Sequence, residues 1–222
     1  MTIRYLGCSS FLIKTKEGTV LIDPFNPDAV GLPFPKVSAD IVLVTHDHPD
    51  HNNVDAVKAV PGGREEPFVI HGPGEYELSG IKVWGFSCYH DKKRGSERGK
   101  NTVYLLEAEG LMLCHLGDLG EPLDEQLAEE VGNPDILFVP TGGVYTIDHE
   151  EAAQLVGRLE PKIVVPMHYK IEGMGEIFKE LSGVSEFLEE MGVAGATPQG
   201  ELKVAVATLP EETEVVVLKA YQ

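Results

Sequence analysis

Four potential metal ligands fall within six residues of this 222-residue chain: His46, His48, Asp50 and His51, in the run Thr45-His46-Asp47-His48-Pro49-Asp50-His51. Imidazole is a common metal donor near neutral pH, and a neighbouring carboxylate adds a hard oxygen. A strand cannot gather three imidazoles, because successive side chains point to opposite faces. A tight loop can. Turn preferences account for Asp47, Pro49, Asn52 and Asn53, but not for three histidines and a carboxylate at this spacing. The run leaves Ile41-Val42-Leu43-Val44, an apolar β-branched segment that reads as a buried strand. Ligands at the end of such a strand are presented to an open cleft by a rigid sheet.

A cation that does chemistry needs several donors and an open position. Further ligands are therefore sought at other strand ends on the same edge. His168 follows the buried run Lys162-Ile163-Val164-Val165-Pro166, and Asp118 follows Leu111–Cys114 within the turn Gly117-Asp118-Leu119-Gly120. An aspartate between two cations can give one oxygen to each. Two more histidines end strands, His90 after Ile81–Tyr89 and His71 before Gly72-Pro73-Gly74. His115 lies inside an apolar strand and reads as a satisfied core or supporting residue, and His149 at a helix start reads as solvent-facing.

The elements that must position these groups are legible in outline. Strands are expected at Ile3–Leu6, Ser10–Thr15 and Thr19–Ile22, with a hairpin turn at Glu17-Gly18, then at Phe68–His71, Tyr76–Leu78 and Ile81–Tyr89. Thr102–Glu107 and Leu111–Leu116 form a hairpin over Glu109-Gly110, and Ile136–Val139, Ile163–Val165, Leu202–Ala207 and Glu214–Lys219 complete the strands. Helical stretches are expected at Val54–Val60, Pro122–Val131, Asp148–Leu159 and Glu176–Met191, the last broken near Ser182-Gly183. Residues 26–36, rich in Pro and Gly, read as an exposed flap. The chain also echoes itself. Val20-Leu21-Ile22-Asp23 leads to a buried strand opening at Asp40, and His115-Leu116-Gly117-Asp118 to one opening at Asp135, seventeen residues on in both cases. Two such halves facing each other make a layered α/β sandwich with its site at one edge.

The run at residues 46–51 resembles the H-x-H-x-D-H motif of the metallo-β-lactamase superfamily, and the match is complete. The resemblance implies an α/β fold, a four-layer αββα sandwich of two facing mixed sheets with outer helices, formed by residues 1–222 as a single domain. It implies His46 and His48 at a first metal position, and Asp50 and His51 at a second. The remaining histidine of the first position comes, in that family's chain order, from the place of His90, which is therefore favoured over His71. The full set is His46, His48, Asp50, His51, His90, Asp118 and His168, with Asp23 as a supporting residue or a plain strand-ending turn residue.

Two divalent cations are implied, zinc favoured and manganese or iron compatible. The activity implied is that of a metal-dependent hydrolase, whose bridging hydroxide attacks an ester, lactone or phosphoester; Asp50 and Asp118 are its catalytic carboxylates. The layout is similar to the small single-domain hydrolases near the ascorbate 6-phosphate lactonases. His48, where the flavin-linked di-iron reductases carry Glu, points away from redox chemistry. The nucleases of that superfamily add a nucleic-acid domain or a long arm that this sequence does not show between His51 and His90, yet a phosphodiesterase or nuclease acting on a small or RNA substrate is the first rival. A non-catalytic metal-binding scaffold is the second, and an open seven-ligand set argues against it, because structural zinc sites are closed.

Bulk properties narrow the partners. The net charge of −18 and a pI near 4.7 argue against a general nucleic-acid binder. Cys8, Cys88 and Cys114 form no disulfide framework, no signal segment opens the chain, and no apolar run reaches the roughly 18 residues of a membrane span; a cytoplasmic protein is expected. Residues 91–100 carry five of the eighteen basic residues directly after His90. They read either as a solvated loop or as an arm that attracts an anionic, phosphorylated small-molecule substrate. Gly142-Gly143-Val144-Tyr145-Thr146 offers backbone donors or a Tyr hydroxyl at the rim. The sequence carries no signal for an oligomeric state.

Overall fold

Continuous apolar runs decide the architecture. The computed structural model describes residues 1–221. In chain order the elements are β1 (Thr2–Gly7), β2 (Ser10–Lys14), β3 (Thr19–Ile22), α1 (Pro27–Val30), β4 (Ser38–Ala39), β5 (Ile41–Val44), β6 (Lys58–Ala59), β7 (Phe68–His71), β8 (Gly74–Leu78), β9 (Ile81–Tyr89) and β10 (Lys100–Ala108). There follow β11 (Leu111–His115), α2 (Glu125–Val131), β12 (Ile136–Pro140), α3 (His149–Leu159), β13 (Ile163–Met167), α4 (Val184–Glu190), β14 (Leu202–Lys203) and β15 (Glu214–Val215).

One sheet has the order β14-β1-β2-β3-β5-β7 and the other β15-β13-β12-β11-β10-β9-β8; β4 and β6 pair separately. Both large sheets are mixed. In the first, β1, β2 and β3 are antiparallel while β3, β5 and β7 run parallel. In the second, β8 to β11 are antiparallel while β11, β12, β13 and β15 run parallel.

Strands covered on both faces need no polar alternation. Thus Ile41 and Leu43 of β5 meet Ile136 and Phe138 of β12 in the core between the sheets, while Val42 and Val44 face outward into a second cluster. On β10, Tyr104 and Leu106 join the inter-sheet core and Val103 and Leu105 pack against the helical side. Phe11 and Phe138 pack across the sandwich with tilted rings, 4.4 Å between centroids.

The echo between the halves has a physical counterpart. Asp40 accepts the Thr19 amide at 2.8 Å and Asp135 the Met112 amide at 2.7 Å, so each carboxylate ties the parallel strand it opens to its neighbour.

The sandwich expected from the resemblance is present, but its outer layers are unequal. Ala128 and Val131 of α2, Leu155, Val156 and Leu159 of α3, and Phe187 of α4 all pack on the second sheet. The first sheet is covered by short α1, loops and Phe178. Residues 26–36 are accordingly not a free flap: Val30 and Leu32 are buried against Phe25. Residues 54–60 are no α-helix either, but a 3-10 turn at Val54–Ala56 followed by β6. The stretch at 176–191 splits into a 3-10 turn and α4, which starts after Gly183. The two C-terminal strands are only two residues long each. Helix α3 begins where expected, with a complete capping box between Asp148 and Glu151.

Candidate metal centre

Parallel strands β3, β5, β12 and β13 bring Asp23, Thr45, Thr141 and His168 to one edge of the sandwich, the usual place for a site in such folds. The two sheets are fastened there. The Thr102 amide donates to Thr45 O at 2.9 Å, and the Tyr104 hydroxyl donates to Val44 O at 2.9 Å.

Asp23 sits behind the histidine loop with its side chain fully buried. It accepts the Thr45 amide and hydroxyl, each at 2.8 Å, and Nδ1 of His51 at 2.9 Å. Because the carboxylate accepts at that ring nitrogen, His51 keeps a proton on Nδ1, and Nε2 is the nitrogen left to meet a cation. The same reasoning passes one residue on. The Thr45 hydroxyl spends its proton on Asp23, so its contact with His46 Nδ1 at 3.0 Å is accepted, and His46 likewise presents a bare Nε2. Both Nε2 atoms are buried with no hydrogen-bond partner, as are Nε2 and Nδ1 of His168. Buried ring nitrogens without a partner are costly, and cations bound at Nε2 would answer one on each of these three rings.

The predicted ligands converge. Asp118 Oδ2 lies 3.2 Å from Nε2 of His51, 3.2 Å from that of His168, 3.4 Å from that of His90 and 4.0 Å from that of His46. His46, His48 and His90 form one group whose ligand atoms lie within 4.8 Å of one another; Asp50, His51 and His168 fall in a second, which also contains Cys8. His71 is exposed on edge strand β7 and belongs to neither group, so of the two strand-ending candidates His90 is the one brought beside the histidine run. His115 is a supporting residue. Its Nε2–H donates to Ser9 O at 2.9 Å and its Nδ1 accepts the Gly117 amide at 3.1 Å, which fixes the turn that delivers Asp118. Asn101 accepts the Asp118 amide at 3.0 Å, and Ser9 Oγ donates to Asp118 Oδ1 at 3.2 Å.

Close approach of backbones makes this packing possible. A Cβ at Gly120 would overlap the backbone of His90 and Asp91, and one at Gly142 would overlap the carbonyl of His168. Only glycine admits the ligand loops that near.

Charge at the centre is balanced by partners. Burial, reinforced by the neighbouring His51 charge, holds the His46 pKa well below that of a free imidazole, and burial also lowers His90. At His51 burial opposes the proton, but Asp118, Asp50 and Asp23 outweigh it and raise the pKa well above the ordinary value. His168 is raised in the same way by Asp118 against burial. Asp118 resists its own burial through His168 and His51 and stays ionised. His46 and His90 are thus neutral donors, whereas His51 and His168 hold protons where a cation would sit.

Above the centre lies a cavity of ≈ 280 Å³, floored by His48, Asp50, His90, Asp118 and His168 and walled by Arg98, Tyr145, Ile177 and Phe178. A larger cleft of ≈ 370 Å³ opens beside Cys88 and Leu123, but shares no residue with the ligand groups. Size alone does not mark the site.

The basic loop is ordered rather than merely solvated. Asp91 gathers the amides of Lys93, Gly95, Glu97 and Arg98 at 2.8–3.1 Å. Burial works against its charge, yet those four donors outweigh it and bring its pKa down to about 2. Lys92 pairs with Glu151, Lys93 with Glu97, and Arg94 faces the other cleft. Arg98 turns toward the metal cavity, its guanidinium 4.8 Å from the Tyr145 ring centroid. Tyr145 follows Val144, a β-branched residue held at φ 59°, and its hydroxyl donates to Ile177 O at 2.6 Å.

Cys8 is the group that sequence reasoning missed. The sequence offered only the adjacent Gly7, whose freedom permits the turn that points Cys8 inward.

Known proteins resemble this chain over most of its length. The sequence model of the beta-lactamase superfamily domain matches residues 2–168. A UPF0173 metal-dependent hydrolase of Lysinibacillus sphaericus is 34% identical over 84% of this chain and 94% of its own length, and one of Thermococcus onnurineus is 31% identical over 82% and 92%. A crystal structure of a metallo-β-lactamase superfamily protein from Thermotoga maritima superposes with a TM-score of 0.76 at 32% identity, covering 98% of both chains. The chain belongs to the metallo-β-lactamase superfamily, among its metal-dependent hydrolases.

Proposed function

We propose that this protein hydrolyses a small anionic ester, lactone or phosphoester at a two-cation centre. His46, His48 and His90 hold one cation, Asp50, His51 and His168 the other, and Asp118 lies between them. The observation that carries this reading is the single oxygen Asp118 Oδ2 facing four Nε2 atoms from three separate loops. Zinc is the favoured metal, because imidazoles outnumber carboxylates. When bound, such a pair supplies an activated water and Lewis acidity toward the substrate oxygen.

The chain's own residues do the rest. Asp50, largely buried at the cavity floor, orients the attacking water and takes its proton. Arg98 draws in and holds the substrate's anionic group at the rim. Ile177 and Phe178 close one wall and keep bulk water away from the reacting atoms. Asp23 and Thr45 keep His46 and His51 in the tautomer that binds metal. Among the described residues no helix is long and apolar enough to cross a membrane, and we place the protein in the cytoplasm.

A small substrate is favoured over a polynucleotide by the loop itself. Three of its five cations, Lys92, Lys93 and Arg94, are paired or face away from the cavity, which leaves no basic track for a phosphate backbone. The test is a panel of esters, lactones, phosphomonoesters and phosphodiesters assayed with zinc and with manganese. Metal-dependent turnover is expected, reduced at least roughly 100-fold by Asp118→Asn. Arg98→Gln should raise KM about tenfold for anionic substrates alone, the weight of one charge-assisted contact. Turnover confined to phosphodiesters would favour the nuclease-like reading, and turnover insensitive to chelators would overturn the proposal.

A further inference from the structure

The thiol of Cys8 has no place in the account so far. It is fully buried, forms no disulfide, and has its Sγ within 4.8 Å of the ligand atoms of Asp50, His51 and His168. We propose that Cys8 is a metal ligand, giving the second cation a sulfur donor beside Asp50, His51 and His168. This rests on the two-cation reading and adds a donor that changes what the second position prefers.

The local backbone is built to aim that sulfur. Cys8 follows Gly7, and both sit at positive φ, 55° and 116°, in the turn between β1 and β2. A left-handed non-glycine residue persists only where its surroundings hold it there. Here the Cys8 carbonyl accepts from the Tyr5 hydroxyl at 2.8 Å and from the His168 amide at 2.8 Å. His168 is itself left-handed, at φ 51°. Two strained residues, joined by a backbone hydrogen bond, therefore turn a thiol and an imidazole toward one point. His51 and His168, whose rings are fully buried, share one candidate ligand group with that sulfur.

The other two cysteines show what a merely structural thiol does in this protein. Cys88 lies against Asn101, whose amide donates to its sulfur at 3.1 Å, and Cys114 packs among apolar residues of the second sheet. Neither joins a ligand group.

A thiolate ligand makes the two positions unequal. Coordination removes the thiol proton and leaves an anionic, soft donor that favours zinc over manganese or magnesium. Apart from the shared Asp118, the second position then has four protein donors and the first three, so the second is the more nearly closed and the first keeps more room for water. The second cation is then the tightly held, structural partner and the first the exchangeable one.

Cobalt(II) reads this directly. The metal-free full chain is titrated with cobalt and its near-ultraviolet spectrum followed, for wild type, Cys8→Ser and Cys88→Ser. A sulfur-to-cobalt charge-transfer band is expected in wild type and Cys88→Ser and absent in Cys8→Ser. Competition with a chelator should show zinc affinity at the second position falling at least tenfold in Cys8→Ser, with manganese affinity little changed. Wild type needs no variant to refute the idea: cobalt bound without the band removes the thiolate while leaving the two-cation reading intact. A band that survives Cys8→Ser also overturns it, and failure to bind cobalt at all overturns both.

Discussion

Replacing Asp23 by Asn tests whether the residues behind the ligands set the chemistry of the ligands. The change keeps shape and volume but turns an acceptor-only group into half acceptor, half donor. Asp23 now accepts three protons, from the Thr45 amide, the Thr45 hydroxyl and His51 Nδ1. If the Asn oxygen stays on the Thr45 amide, its NH₂ confronts two donors. His51 can answer only by moving its proton to Nε2, which blocks the lone pair that meets the metal. Loss of such a supporting contact typically costs 10–100-fold in metal affinity, about 1.4–2.7 kcal/mol. Loss of one or two charge-assisted bonds in a fully buried position adds a destabilisation of about 2–4 kcal/mol. Against a total of about 5–15 kcal/mol the variant should still fold, with Tm lower by roughly 5–10 °C. The assay is zinc competition with a chromophoric chelator on refolded, metal-free protein, alongside a thermal melt. Weakening should concentrate at the His51 position. Zinc affinity within twofold of wild type at both positions would refute the tautomer argument.

Three further outcomes follow from the same geometry. Metal uptake should release protons, because His51 and His168 have raised pKa values and hold protons that a cation must displace; apparent affinity then rises with pH toward their folded pKa values. Calorimetry in buffers of different ionisation enthalpy checks this, and buffer-independent heats would contradict it. Asp91, with a folded pKa of about 2 below an unfolded value near 4, stabilises its loop fully above pH ~4 and loses that contribution as pH falls from ~4 toward ~2. Hydrogen exchange at the amides of Lys93, Gly95, Glu97 and Arg98 should accelerate over that window relative to intrinsic rates, and Asp91→Ala should show the same exposure at neutral pH. Equal protection in the variant would show that the loop is held by other contacts.

How much of this was legible beforehand depended on distance along the chain. The histidine run was plain because four donors share one loop. Asp118 and His168 were found by a general rule, that active groups sit at the ends of buried strands. His90 and His71 were indistinguishable by that rule, since both end strands. What separates them is that β7 lies at the edge of the first sheet with His71 turned outward, whereas β9 runs inside the second sheet and delivers His90 to the centre. Cys8 was invisible for a related reason: its neighbours Asp50 and His168 are remote in sequence, and only the three-dimensional turn at Gly7 joins them. Prolines and glycines in residues 26–36 suggested exposure, but Val30 and Leu32 are anchored in the outer cluster by long-range packing that local composition does not encode.

The central claim concerns two cations in one chain, and elemental analysis of protein purified without chelators addresses it most directly. The account predicts close to two divalent ions per chain, predominantly zinc, with thermal stability falling when they are stripped and returning when zinc is restored. A wild-type protein that carries one ion or none, and melts at the same temperature with and without added zinc or manganese, would contradict it.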